Sequence, residues 1–262
     1  MSPRKRARLI RRVQYAVLVV IAVVIVMAAD WEQLRAAFFN VDALRSLGPR
    51  LPRAALNTVV YTVAAFAYGL CLGLLLALMK LSSVRVYRAL ATAYVEFFRG
   101  IPALLVVFAV GYGLPAAFQV RFDSVVLTIA IALGSVSGAY IAETLRAGLQ
   151  AVPKGQVEAA RSLGMSSAAT MRLVVIPQAF RIVLPPLTNE AVLLLKDTSL
   201  VFGLGLTTAQ FELTRLGREG INTAGGGLTP IVAVGLCYLL LTIPLSSITR
   251  YLERKTGYKG HV

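Results

Sequence analysis

Apolar runs long enough to cross a bilayer recur along this chain, and no other feature constrains its fold as tightly. A hydrocarbon core takes about 20 apolar residues in helical form. Residues 54–79, 100–120, 124–142 and 228–249 hold no charged side chain, and a shorter run at 16–29 reaches the needed length once Val13, Gln14 and Tyr15 join it. With 57% of the 262 residues apolar, a soluble fold has too little interior to hide them. The net charge of +15 would suit a nucleic-acid module, but the Lys and Arg lie between apolar runs instead of along one solvated face. Loops of a membrane protein are charged in that way, so membrane lipid is the expected surrounding and nucleic acid is excluded as a partner.

A sixth apolar segment lies between Arg172 and Lys196, interrupted by Arg181, Glu190, Pro177, Pro185 and Pro186. Hydropathy alone leaves it open. The N-terminal tail holds Arg4, Lys5, Arg6, Arg8, Arg11 and Arg12, and the C-terminal tail holds Arg250, Arg254, Lys255 and Lys259. Both ends are therefore expected in the cytoplasm, the number of crossings is even, and the proline-broken segment crosses once. This places residues 80–88 and 143–172 inside and residues 30–53, 121–123 and 196–227 outside; the inside segments then hold about twice the Lys and Arg of the outside ones. The first run reads as an uncleaved anchor, because no small-x-small cleavage site precedes Asp30. Residues 31–53 mix Phe38, Phe39 and Leu44 with charges, as an interfacial helix or a solvated linker does.

Little catalytic chemistry is available. Cys71 and Cys237 sit inside apolar runs, and His261 is the single histidine, so no disulfide, paired-histidine metal site or histidine triad is expected. No G-x-x-x-x-G-K-[ST] loop occurs, so this chain has no ATP site of that kind. Gly225, Gly226 and Gly227 form a turn before the last run, with no basic residue after them to make a phosphate cradle.

The inside loop Ala151-Val-Pro-Lys-Gly-Gln-Val-Glu-Ala-Ala-Arg-Ser-Leu-Gly164 is the most informative segment. Pro153 suits a first helical turn, Glu158 to Leu163 favour helix, and Gly164 is placed to end it in the left-handed conformation. Ser166 or Ser167 then caps a following helix. A short helix held at both ends on the cytoplasmic face is suited to docking in a partner's groove. Glu158-Ala159-Ala160, three residues, Gly164, nine residues and Val174-Val175-Ile176-Pro177 resemble the EAA motif of ABC-importer permeases; Val174 and Ile176 are apolar exchanges of similar size for its Ile and Leu. Glu96-Phe97-Phe98-Arg99-Gly100-Ile101-Pro102, Gly138-Ala139-Tyr140-Ile141-Ala142-Glu143 and Leu195-Lys196-Asp197-Thr198-Ser199-Leu200 resemble signatures of the polar amino-acid permeases of the histidine and glutamine uptake type. The resemblance runs from about Leu56 to Arg254; the first 50 residues depart from it, because the minimal family core has five spans.

The resemblance implies an all-α integral membrane fold of six transmembrane helices built on a five-helix permease core, not an enzyme. Residues 1–53 form a basic cytoplasmic tail, an extra transmembrane helix and an outer segment; 54–250 form the permease domain with a coupling loop at 147–172; and 251–262 form a cytoplasmic tail. Lys154, Glu158, Ala159, Ala160, Gly164 and Pro177 are the expected contacts to the ATPase. Implied partners are two ATPase subunits, a second permease subunit of the same or a different chain, an extracytoplasmic substrate-binding protein and a polar amino acid. ATP and magnesium belong to the ATPase and no cofactor to this chain. The site is the cytoplasmic membrane of a prokaryote, spanned in several passes. An ion-coupled secondary transporter and a non-transport scaffold are the alternatives.

Polar groups inside a membrane mark either a pathway or a paired structural site. Glu143, Asn189, Glu190, Lys196, Asp197 and Thr198 are the pathway candidates, with Arg181 as a companion charge. Pro185 and Pro186 are expected to unwind a turn, freeing carbonyls beside Thr188 and Asn189; pairing among the charges is the alternative. Gly69 with Gly73 and Gly134 with Gly138 have the small-xxx-small spacing that permits close helix approach.

Overall fold

The structure is a computed structural model that describes residues 3–120, 122–223 and 227–256; Arg121, Gly225, Gly226, Lys259 and His261 lie outside these. Among the described residues every regular element is helical. In chain order these are α1 (Pro3–Ala28), α2 (Trp31–Phe38), α3 (Val41–Leu47), α4 (Leu51–Leu81), α5 (Arg85–Gly100), α6 (Ala103–Phe108), α7 (Leu114–Phe118), α8 (Val125–Gln150), α9 (Lys154–Ser162), α10 (Ser167–Thr170), α11 (Ile176–Asp197), α12 (Leu213–Thr223) and α13 (Thr229–Thr256). Five stretches are long and apolar enough to cross a membrane. The pair α5 with α6–α7, bent by 106° at Ile101–Pro102, brings the count to six. Hydropathy had started that span at Gly100, but Gly100 ends the amphipathic α5, and the apolar crossing begins only at Ala103. The cause is Pro102, which forces extended backbone on the residue before it: Ile101 has φ −107° and ψ 140°.

Helices α4 and α8 form the central pair, and glycines set their separation. A Cβ added to Gly134 would lie 2.7 Å from the Ala65 carbonyl oxygen, and one added to Gly73 would lie 2.9 Å from the Gly138 carbonyl oxygen. The two glycine pairs therefore face each other, and backbone meets backbone where any larger residue would hold the helices apart. Close approach matters in lipid because apolar side chains gain nothing by leaving it; packing and hydrogen bonds do the holding. At the α9 end of this pair Glu143 ties α8 to α4 through Lys80 and is held, at 2.6 Å, by Arg146 one turn along its own helix.

The loop between α11 and α13 folds back on α4. Asn57 donates to the carbonyls of Ala209 and Phe211, both at 2.9 Å, and Tyr61 donates to that of Gln210 at 2.7 Å. The fully buried Glu212 accepts from the first-turn amides of α12, Thr214 and Arg215, and from the Tyr238 hydroxyl on α13. One carboxylate so satisfies donors that would otherwise be orphaned at a helix start. Residues 31–47 are two short helices rather than a linker, capped by Asp30 and Asn40. They pack on α12 and α13 through Ala43 and Leu47, while the Ala37 carbonyl accepts from the Leu228 amide and the Thr229 hydroxyl. The apolar part of α1, Ile10–Ala28, is exposed along its whole length.

The double proline does not unwind its span. Helix α11 runs unbroken from Ile176 to Asp197 with Pro185 and Pro186 inside it. Each proline removes one amide donor, and neighbouring helices hold the rest of the ladder in place. The departures from α-helix fall at its two ends, a π-helical turn at Met171–Val175 and a 3₁₀ turn at Thr198–Gly203.

Candidate functional site

Two features stand apart from the packing that makes the bundle. The first is a cavity of about 490 Å³ at the bend between α5 and α6, closed by α8 and α11. Its floor is apolar, with Ile101, Pro102, Leu133 and Val136; its polar groups are Arg99, Ser137, Tyr140, Glu190 and Asp197. The Pro102 bend places Arg99 here, since it turns the end of α5 back toward α8. The Arg99 guanidinium lies 5.4 Å from the centre of the Tyr140 ring, a cation–π contact. Glu190 and Asp197, seven residues apart, share one face of α11. Among the described residues neither carboxylate makes an ion pair or a hydrogen bond, and Arg99 makes no ion pair. The half-sheltered cavity thus presents two carboxylates and one guanidinium to its interior.

The other sequence candidates are placed elsewhere. Glu143 is in the Lys80–Arg146 clamp and does not line the cavity. Asn189 and Lys196 are exposed, as is Arg181, which makes no ion pair with Glu190. Thr198 is fully buried and donates its hydroxyl to the Leu195 carbonyl at 2.6 Å. Arg99, Ser137 and Tyr140 were not singled out from sequence as site residues. Arg99 and Tyr140 stand inside two of the quoted signatures, and that was the available signal.

The second feature is α9. Its end is a Schellman turn: Gly164, at φ +83°, donates to the Arg161 carbonyl at 3.0 Å and Met165 donates to that of Ala160 at 3.2 Å. Ser166 then caps α10, its hydroxyl accepting from the Ala169 amide. Pro153 is the residue before the helix, one position earlier than a first-turn proline, and Lys154 opens it. Ala160 is buried, and Val157 is half-buried against Val152, Val175 and Ala179. Lys154, Glu158 and Ala159 are exposed, and Leu163 is 84% exposed. Pro177 is the second residue of α11, just after the π-helical turn. Thus α9 is fastened to the bundle on one face and bare on the other.

Membrane helices that enclose a charged cavity and carry a capped, half-bare helix at one end define a permease. The family described as binding-protein-dependent transport system inner membrane component matches residues 69–258. The chain belongs to this family and is the permease subunit of an ABC amino-acid importer, inserted in the membrane in several passes. That membership sets aside the ion-coupled transporter and the scaffold. It is 37% identical over 199 residues to a probable glutamine ABC transporter permease of Bacillus subtilis, covering 76% of this chain and 89% of that one. It is 34% identical over 198 residues to an arginine transport system permease of the same species, covering 76% and 88%. The crystal structure of an amino acid ABC transporter with histidines matches with TM-score 0.74 and 34% identity over 81% of this chain and 96% of that one.

Proposed function

We propose that this subunit carries a polar amino acid inward by alternating access through the cavity at Arg99, Glu190 and Asp197. The charge pattern carries the reading: an amino-acid zwitterion stripped of water needs acceptors for its ammonium group and a donor for its carboxylate, and one cavity offers both. In this reading α9 docks in a cleft of an ATPase subunit, with Lys154, Glu158, Ala159, Ala160, Gly164 and Pro177 forming or positioning the contact. ATP and magnesium are bound and ATP is hydrolysed there, in two such subunits serving two permeases, identical or not. An extracytoplasmic binding protein delivers the amino acid.

Glu190→Gln tests the pathway, since it keeps shape and removes charge. We expect the complex to assemble and uptake to fall or change selectivity; transport with unchanged affinity and selectivity would remove Glu190 from the pathway. The sidedness is tested in intact cells. In a background lacking Cys71 and Cys237, an impermeant thiol reagent should label a cysteine at Gly226 and spare one at Ser2. Both positions lie outside the described residues, and the reverse pattern would overturn the cytoplasmic placement of the N-terminus.

A further inference from the structure

A trough of about 500 Å³ runs along the surface of the bundle near its α9 end, between α4, α8 and α11. It shares no residue with the cavity at Arg99. Its floor includes the buried Ala77, Ala179 and Val183, and its walls include Leu78, Met171 and Phe180, each half-exposed. We infer that this trough is a binding site for an anionic phospholipid of the leaflet nearest α9, with an acyl chain on the apolar floor and the headgroup phosphate taken by Arg88 and Arg172.

The dimensions suit an acyl chain. The trough extends from Ser82 to Leu74 on α4, about 12 Å of helix, and from Met171 to Val183 on α11, about 18 Å. One leaflet supplies about 15 Å of hydrocarbon. All three helices belong to stretches that cross the membrane, and Ser82 is where α4 ends, so the trough begins at headgroup level and reaches toward the midplane. Val183 closes it from behind by seating on Gly148, where an added Cβ would lie 2.0 Å from the Val183 Cγ1 atom. Left unfilled, the lining would lack the dispersion contacts that an acyl chain provides.

The mouth of the trough carries unspent positive charge. The Ser82 and Ser83 carbonyls accept from Arg88 Nη1 at 2.8 and 3.0 Å, which holds the guanidinium at the mouth. Its Nη2 and Nε atoms make no hydrogen bond or ion pair among the described residues. On the facing wall Arg172 follows Met171, is exposed, and makes no ion pair among the described residues. A guanidinium with donors to spare suits a phosphate, and basic pockets between spanning helices hold anionic headgroups.

Charge also decides between occupants. Residues 80–90 and 144–175 together hold seven Lys and Arg against one acid, Glu158. A second copy of this chain would bring the same positive segments to the same depth, and a zwitterionic headgroup would bring a cation along with its phosphate. An anionic phospholipid brings an apolar chain and a net negative charge, which is what the trough and its mouth lack.

The test is photolabelling of the purified permease–ATPase complex with phosphatidylglycerol or phosphatidylcholine carrying the same diazirine-bearing acyl chain, with the labelled peptides located by mass spectrometry. Phosphatidylglycerol should label the peptides holding Leu78 and Phe180 about tenfold or more over phosphatidylcholine, and added salt should narrow the difference. Arg88→Gln combined with Arg172→Gln should bring the two lipids to near equality by weakening phosphatidylglycerol alone. Equal labelling by both lipids in the wild-type complex, or an unchanged ratio in the double variant, would overturn the inference. So would the absence of either label from the trough, since protein would then cover it. Should the double variant not assemble, the two single variants and the salt dependence of the wild-type ratio decide.

Discussion

Replacing Gly164 with valine should abolish coupled uptake while leaving the subunit in the membrane. At φ +83° an added Cβ would meet nothing within 4 Å, so crowding contributes nothing and the whole effect is backbone strain. A β-branched residue in the left-handed region costs about 1–3 kcal/mol. The chain can relieve that strain only by giving up the two hydrogen bonds of the turn, from Gly164 to Arg161 and from Met165 to Ala160. Helix α9 would then lose its fixed angle to α10 and α11. Asparagine tolerates this conformation, so Gly164→Asn should keep most activity. The measurement is uptake, with substrate-stimulated ATPase activity, in reconstituted complexes. Equal activity of the valine, asparagine and wild-type proteins would remove this turn from the coupling path.

Gly134→Leu should prevent the subunit from accumulating as a folded protein, and Gly134→Ala should lower its thermal stability. The added Cβ falls 2.7 Å from the Ala65 carbonyl oxygen and 2.7 Å from the Tyr68 ring. Tyr68 can swing aside, but the carbonyl belongs to the α4 backbone, so the two helices must move apart. Overpacking of this kind costs about 1–3 kcal/mol for a small addition and more for a large one. Gly235 on α13 is the control: a Cβ there meets nothing within 4 Å and the residue is exposed, so Gly235→Leu should be tolerated. Membrane yield and thermal unfolding in detergent measure both. Equal loss at the two positions would mean that the glycines matter through helix propensity and not through the α4–α8 contact.

Much of this architecture was legible because the bilayer reduces fold class to a question of length and charge. A run of about 20 apolar residues has few ways to satisfy its backbone in lipid, and a helix is the simplest. The turn at Gly164 was legible for a local reason: a helix end in the left-handed conformation selects glycine, and the partners of its hydrogen bonds lie within five residues. The signatures around Arg99 and Asp197 carried the family in the same way, as spacing along one chain.

The sequence could not by itself decide what depends on how separate helices meet. It set Glu143, Glu190 and Asp197 side by side as equal candidates; packing sent Glu143 to Lys80 and Arg146 and left the other two facing a cavity. It marked Pro185 and Pro186 as a break, yet α11 continues through them because neighbouring helices bear the cost of two missing donors. Arg99 entered the site through a 106° bend whose direction no local pattern specifies. Local rules act over a few residues, whereas the cavity is the gap left when α5, α6, α8 and α11 are packed together, and a gap is defined only once its walls are in place.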